Sequence, residues 1–219
     1  MDQLAHKYLR EVLVGEFALK ALLAIPENPI GLVIFAHGSG SGRLSPRNNH
    51  VAAALQLHHI ATLLIDLLTE AEEQNRSNVF DIALLATRLA SAANWVRQQP
   101  GLKDLPIGFF GASTGAAAAL VAAAADPRIT AVVSRGGRPD LAREVLPQVR
   151  TPTLLLVGSL DGPVIGLNQQ AFDALLAPKK ILVVPGAGHL FEEPGTLDQV
   201  IMHASDWFSN FFARHQVRG

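Results

Sequence analysis

No cysteine occurs among the 219 residues, which excludes disulfides, thiolate metal sites and a thiol nucleophile. Charge is scarce and nearly balanced: 18 lysines and arginines against 19 aspartates and glutamates leave a formal net charge of -1. Such a chain has no cationic excess with which to hold nucleic acid or an anionic membrane surface. Long apolar runs are missing too. The longest strongly apolar stretch, Ala116 to Ala125, is short and rich in alanine, whereas a bilayer-spanning helix takes about 20 apolar residues. The opening MDQLAHKYLREVLV carries charges where a secretory signal would need its apolar centre. Together these absences point to a soluble, cytoplasmic protein without membrane or nucleic-acid partners, and the lack of cysteine fits a reducing compartment.

What is present is core-forming material. Hydrophobic residues make up 49% and charged residues 17% of the chain, and the length suits one domain over residues 1–219. Short apolar runs alternate with longer helical patterns. YLREVLV and FALKALLAI, joined around Gly15, read as an antiparallel edge hairpin. GLVIFAHG, IATLLID, PIGFFG, ITAVVS, TPTLLLVG and KKILVVPG are almost continuously apolar, as strands buried on both faces are. Helical patterns fall at about 46–58, 79–98, 114–125, 166–176 and 194–213. In the last, Leu197, Val200, Ile201, Ala204, Trp207, Phe208 and Phe211 recur at helical spacing. Pro194 suits its first turn, and Glu192 and Glu193 suit its start, where the helix dipole favours negative charge. This alternation predicts an α/β fold: a mainly parallel sheet of about eight strands, an antiparallel N-terminal edge and helices on both faces.

In open α/β sheets, ligands bind beyond the carboxyl ends of the strands. That edge should gather His37-Gly38-Ser39-Gly40, Ser113, Asp161 and His189, each placed just after an apolar run. Gly111-Ala-Ser-Thr-Gly115 lies where a strand gives way to an alanine-rich helix. Glycines flanking such a corner allow the sharp turn that displays a serine hydroxyl, and the residue after the serine opens the helix with an unpaired N–H. A serine needs a histidine base, itself oriented by a carboxylate. Ser113, Asp161 and His189 follow one another in the order that α/β-hydrolases use. Thr114 and Ser39 are then the backbone donors of an oxyanion hole.

Each reading has a plainer rival. Ser113 could mark only a tight corner, and Asp161, before Gly162 and Pro163, could be only a turn residue. His37 is expected to brace the oxyanion loop, not to act as base. His58 and His59 are adjacent and so do not share a helix face; no metal site and no cofactor are expected. Arg43, Arg135 and Arg138 could clamp an anionic substrate through paired guanidinium bonds, or equally could fix the rim by bonding loop carbonyls or Asp140.

VIFAHGSGSGRLSPRN, GFFGASTGAAAAL, VVSRGGRPDLA, PTLLLVGSLDGPV, VVPGAGHLFEEPG and ASDWF resemble small bacterial members of the α/β-hydrolase superfamily of the dienelactone-hydrolase-like kind. Some of these are similar to domains attached to phosphoribosyltransferases. The resemblance runs from about Leu9 to Phe212 and implies Ser113 as nucleophile, Asp161 as acid, His189 as base, and Ser39 and Thr114 as oxyanion donors. Dienelactone hydrolases proper use a cysteine nucleophile, so their substrate does not carry over. The expected activity is hydrolysis of a small ester, lactone or thioester at an open site, since the segment from Arg135 to Arg150 leaves little room for a cap. A non-catalytic binding module on the same fold, and acyl transfer or perhydrolysis by the same residues, remain the rival readings. A homodimer is compatible with the sequence.

Overall fold

Five apolar runs become strands in which nearly every residue is buried: β3 (Gly31–Ala36), β4 (Ile60–Ile65), β5 (Ile107–Ala112), β6 (Ile129–Arg135) and β7 (Thr153–Gly158). The structure, a computed structural model, describes residues 9–216; Tyr8, expected to open the first strand, lies outside them. Three further strands, β1 (Leu9–Val14), β2 (Leu19–Ala24) and β8 (Lys179–Val184), complete one eight-stranded sheet in the order β1-β2-β4-β3-β5-β6-β7-β8. β1 and β2 pair antiparallel, as do β2 and β4, and every other pair is parallel. The architecture is therefore the mainly parallel α/β sheet with an antiparallel N-terminal edge that the strand-helix alternation predicts. β8 departs from the expectation of a fully buried strand because it is the outermost one, and most of its residues are only half covered.

Helices cover both faces. α1 (Pro46–Leu57) and α7 (Thr196–Gln216) lie on one, burying Val51, Leu55, Val200, Ala204, Phe208 and Phe212 against the sheet. α4 (Ile82–Val96), α5 (Thr114–Ala125) and α6 (Gly162–Ala174) lie on the other, through Leu85, Leu89, Ala117 to Ala119 and Ala171. Alanine at the contact lets α5 sit close to the sheet, and this fixes the corner from which it starts.

The helix boundaries differ from the sequence expectation in three places. The expected 79–98 helix is preceded by two short helices, α2 (Glu70–Glu73) and α3 (Arg76–Val79). Each opens on a side-chain cap: Thr69 and Glu72 form a reciprocal capping box, and the Asn75 side chain accepts from the Ser77 N–H. α6 begins at Gly162, not at 166, so that Asp161 becomes its N-cap residue. α7 begins at Thr196, so Pro194, Glu192 and Glu193 belong to the preceding loop. Thr196 donates to the Glu193 carbonyl from both its N–H and its hydroxyl, which starts the helix later. Between β6 and β7, residues 136–150 hold two short 3-10 turns, Pro139–Ala142 and Leu146–Gln148.

Candidate active site

Ser113 stands at the β5–α5 corner with φ 51° and ψ -122°, a backbone conformation that glycine adopts readily and serine rarely. The corner is clamped from both sides. Ser113 N–H donates to Arg135 O at 3.3 Å, and Ser113 O accepts from Arg138 N–H at 3.0 Å and Ala116 N–H at 3.1 Å. The flanking glycines are needed for space. A Cβ on Gly111 would lie 2.4 Å from Ala116 Cα, and one on Gly115 would lie 2.1 Å from Ala36 O. Gly38 is equally confined, since its Cβ would meet Ser113 Cβ at 2.9 Å.

His189 Nε2 lies 3.4 Å from Ser113 Oγ, and His189 Nδ1 lies 2.7 Å from Asp161 Oδ2. Asp161 is an acceptor, so Nδ1 carries the ring proton and Nε2 presents a lone pair to the serine. The turn reading of Asp161 weakens on its own geometry. An aspartate at an N-cap normally accepts from the first helical N–H groups, yet the Asp161 carboxylate makes no cap bond and turns to His189 instead. The loop holding His189 is anchored on both sides of the ring. Gly188 N–H donates to Glu193 Oε2 at 3.0 Å, and Phe191, with φ 56°, is 1% exposed in the core. Bonds from the N–H groups of Gly188, of Glu193 itself and of Glu192 hold the Glu193 carboxyl below the usual range. Glu193 thus braces the histidine loop instead of opening α7. Nothing in its sequence context separates it from an ordinary helix-start glutamate.

His37 has the bracing part expected of it. Its Nε2 accepts from Leu67 N–H at 3.1 Å, and its Nδ1 donates to Gly38 O at 3.0 Å, tying the loop after β3 to the loop after β4. Thr114 N–H has no protein partner among the described residues. Ser39 N–H, the other expected oxyanion donor, donates to Thr114 Oγ1 at 3.1 Å, a contact the sequence did not suggest. His58 and His59 follow α1 at the opposite edge of the sheet, where His59 Nδ1 bonds Glu27 O.

The three arginines separate. Arg43 donates to Asp66 from both backbone and side chain at 2.6 Å, and Arg138 makes a paired bond to Asp140 at 2.9 and 2.8 Å. Both therefore have internal carboxylate partners. Among the described residues the Arg135 side chain has one hydrogen-bond partner, Asn48 Oδ1 at 3.1 Å, and its guanidinium lies 5.9 Å from the centre of the Phe191 ring. Burial, and after it the charge of Arg47, pulls Arg135 down to about 10, which still leaves it cationic at neutral pH. Two cavities flank the 38–42 loop. One of about 630 Å³ is lined by Ser113, His189, Arg47 and Arg135. The other, about 440 Å³, lies towards Leu68, Val79 and Leu85, with Asp66 and Glu73 on its wall.

Residues 19–212 match the dienelactone hydrolase family. The chain belongs to that family. As a member of the dienelactone hydrolase family it is similar to a crystal structure of a dienelactone hydrolase from Anabaena variabilis, with 53% identity, a TM-score of 0.89, and coverage of 93% of this chain and 97% of the other. Est1E from Butyrivibrio proteoclasticus shares the fold at 15% identity and a TM-score of 0.79, over 94% of this chain and all of that one. A protein of Mycobacterium tuberculosis, whose name places it provisionally among the phosphoribosyl transferases, is 56% identical over 200 residues. Those residues are 90% of this chain and 45% of the relative, so this family member spans about half the length of that protein. The fold is thus that of dienelactone-hydrolase-like hydrolases.

Proposed function

We propose that this protein is a serine hydrolase that opens a small ester, lactone or thioester through an acyl-enzyme on Ser113. The observation that carries the reading is the continuous relay from Asp161 Oδ2 through the His189 ring to Ser113 Oγ, with separations of 2.7 and 3.4 Å. The longer step is ordinary for a site without substrate, where catalytic hydrogen bonds are often loose.

His189 Nε2 takes the Ser113 proton as Oγ attacks the carbonyl carbon, and Asp161 holds the tautomer and stabilises the imidazolium. The oxyanion meets Thr114 N–H at the N-terminus of α5, where the helix dipole adds positive potential. Ser39 N–H is engaged by Thr114 Oγ1 at rest, so it reaches the oxyanion by releasing or sharing that bond. His189 then protonates the leaving group, and water repeats the sequence on the acyl-enzyme. Acyl transfer would differ only in the second nucleophile. The phosphoribosyl transferase name belongs to the longer relative, and the Ser113 site lies on the portion shared with it.

The test combines labelling with turnover. A fluorophosphonate should label the wild type and not Ser113→Ala, and hydrolysis of p-nitrophenyl acetate should fall about 10⁴-fold or more in that variant. Undiminished labelling of Ser113→Ala would remove Ser113 as nucleophile. No turnover across p-nitrophenyl esters, thioesters and lactones would favour a binding module.

A further inference from the structure

Arg135 raises a question that the relay does not answer. It ends β6 with 5% of its surface exposed, it lines the cavity that holds Ser113 and His189, and it has no carboxylate partner among the described residues. Its Nε is buried without a hydrogen-bond partner, as are those of Arg43, Arg47 and Arg88; the missing carboxylate is what sets Arg135 apart. Arg88, the other buried arginine, shows the usual arrangement: its Nη2 donates to Glu72 Oε1 at 2.6 Å. A buried cation without a counter-ion is costly, and Arg135 is that case.

Its surroundings add positive potential where an acid would be expected. Arg47 lines the same cavity, and among the described residues its one ionic contact is to Glu192, whose side chain is 61% exposed. Both arginines stand by the first turn of α1, whose dipole places positive potential there. No aspartate or glutamate lines this cavity among the described residues, whereas the neighbouring cavity carries Asp66 and Glu73.

We propose that the acyl substrate of this site carries a phosphoryl group, which docks on Arg135 and Arg47 at the N-terminus of α1 beside Ser113. The charge count selects phosphoryl over carboxylate. A phosphate monoester brings about -1.5 to -2 charges at neutral pH and three acceptor oxygens. These can serve a buried guanidinium, a second one and the helix terminus together. A carboxylate brings one charge and two oxygens, enough for Arg135 alone. The identity of the anion as part of a substrate rests on the serine hydrolase reading; the anion subsite itself does not.

Binding and turnover are therefore measured separately. Inorganic phosphate is titrated calorimetrically into the full Ser113→Ala chain at constant ionic strength, with acetate and succinate as comparators. The expected result is binding near about 1 mM, at least tenfold tighter than either carboxylate. It should weaken at least tenfold in Arg47→Ala and be lost in Arg135→Gln. Arg135→Lys, which keeps the charge, should recover part of it and shows that loss in the glutamine variant is not misfolding. In turnover, the p-nitrophenyl ester of phosphonoacetic acid should be preferred over p-nitrophenyl propionate in kcat/KM. That ratio should fall at least tenfold in Arg47→Ala, through KM. Phosphate binding that is absent, no tighter than succinate, or unmoved by Arg47→Ala would overturn the proposal. A preference for the mono-p-nitrophenyl ester of succinate would overturn the phosphoryl assignment. Phosphate binding without any ester turnover would sink the hydrolase reading and leave the anion subsite standing.

Discussion

Ser113 carries the conformational cost of the site. Its φ of 51° and ψ of -122° are held by the Arg135 carbonyl, the Arg138 N–H and the close approach of Gly38. A non-glycine residue in such a region costs about 1–3 kcal/mol. Ser113→Gly should therefore stabilise the fold by about 1 kcal/mol after glycine's own entropy of about 0.5–1 kcal/mol is subtracted. In thermal unfolding that is a rise of about 2–4 °C, accompanied by loss of hydrolysis. A lower Tm would show that the corner is not strained. The corner itself was legible in the sequence, because glycines flank the serine where an apolar run meets a helix-forming one. Its bond partners were not, since Arg135 and Arg138 reach it only through sheet pairing. The same limit applies to the arginines: three cationic residues look alike in sequence, and only the contacts to Asp66 and Asp140 tell two of them apart from Arg135.

Elements position these residues through backbone approach. α5 runs against the ends of β3 and β5 so closely that an added methyl on Gly115 would lie 2.1 Å from Ala36 O and 2.5 Å from His37 O. Gly115→Ala must lift the first turn of α5 away from both carbonyls. Overpacking of this kind costs about 1–3 kcal/mol. A displacement near 1 Å at a catalytic corner costs about 10²-fold in rate. Denaturant unfolding and kcat/KM should both show the effect. Gly162→Ala is the control, because its methyl would meet nothing within 4 Å, and its stability should stay within about 0.5 kcal/mol of the wild type. The strand-helix alternation announced these elements correctly. It missed α2 and α3, although the Thr69–Glu72 capping box was written in the chain, because four-residue helices have no periodicity to detect. It also began α6 too late and α7 too early, since the deciding bonds at Asp161 and Glu193 come from loop geometry.

Across the molecule, carboxylates outside the Ser113 site join neighbouring helices, Glu72 to Arg88 of α4 and Asp126 at the end of α5 to Arg97 at the end of α4. Burial alone would raise Asp126, but the Arg128 side chain, the Arg128 N–H and Arg97 outweigh it and hold its carboxyl below the usual range. Glu72 is lowered first by the Thr69 N–H and then, against burial, by Arg88. A depressed carboxylate contributes stability above its unfolded pKa and loses that contribution as pH falls through the folded one. Tm should therefore hold steady with respect to these groups down to about pH 4 and decline below it. Asp126→Asn should lower Tm at neutral pH and flatten the acid decline. An unchanged acid limb would remove Asp126 from the account. Among the described residues, no helix is long and apolar enough to cross a membrane.

The fold class and the order of the eight strands along the chain were readable from the sequence alone, which also named Ser113, Asp161 and His189, the three side chains that the fold brings together. Those features are encoded locally, in runs of apolar residues, in glycines beside a serine and in the order of three polar residues after three strands. Tertiary structure alone decided which charges are neutralised, which N–H groups are already engaged and which loop residues hold the histidine in place. Ion pairs and hydrogen bonds depend on distances between segments far apart in the chain, and no local pattern records them. Arg135 is the sharpest instance. In sequence it is one arginine among several; in the folded chain it is a buried cation lining the cavity beside Ser113, with no carboxylate partner among the described residues.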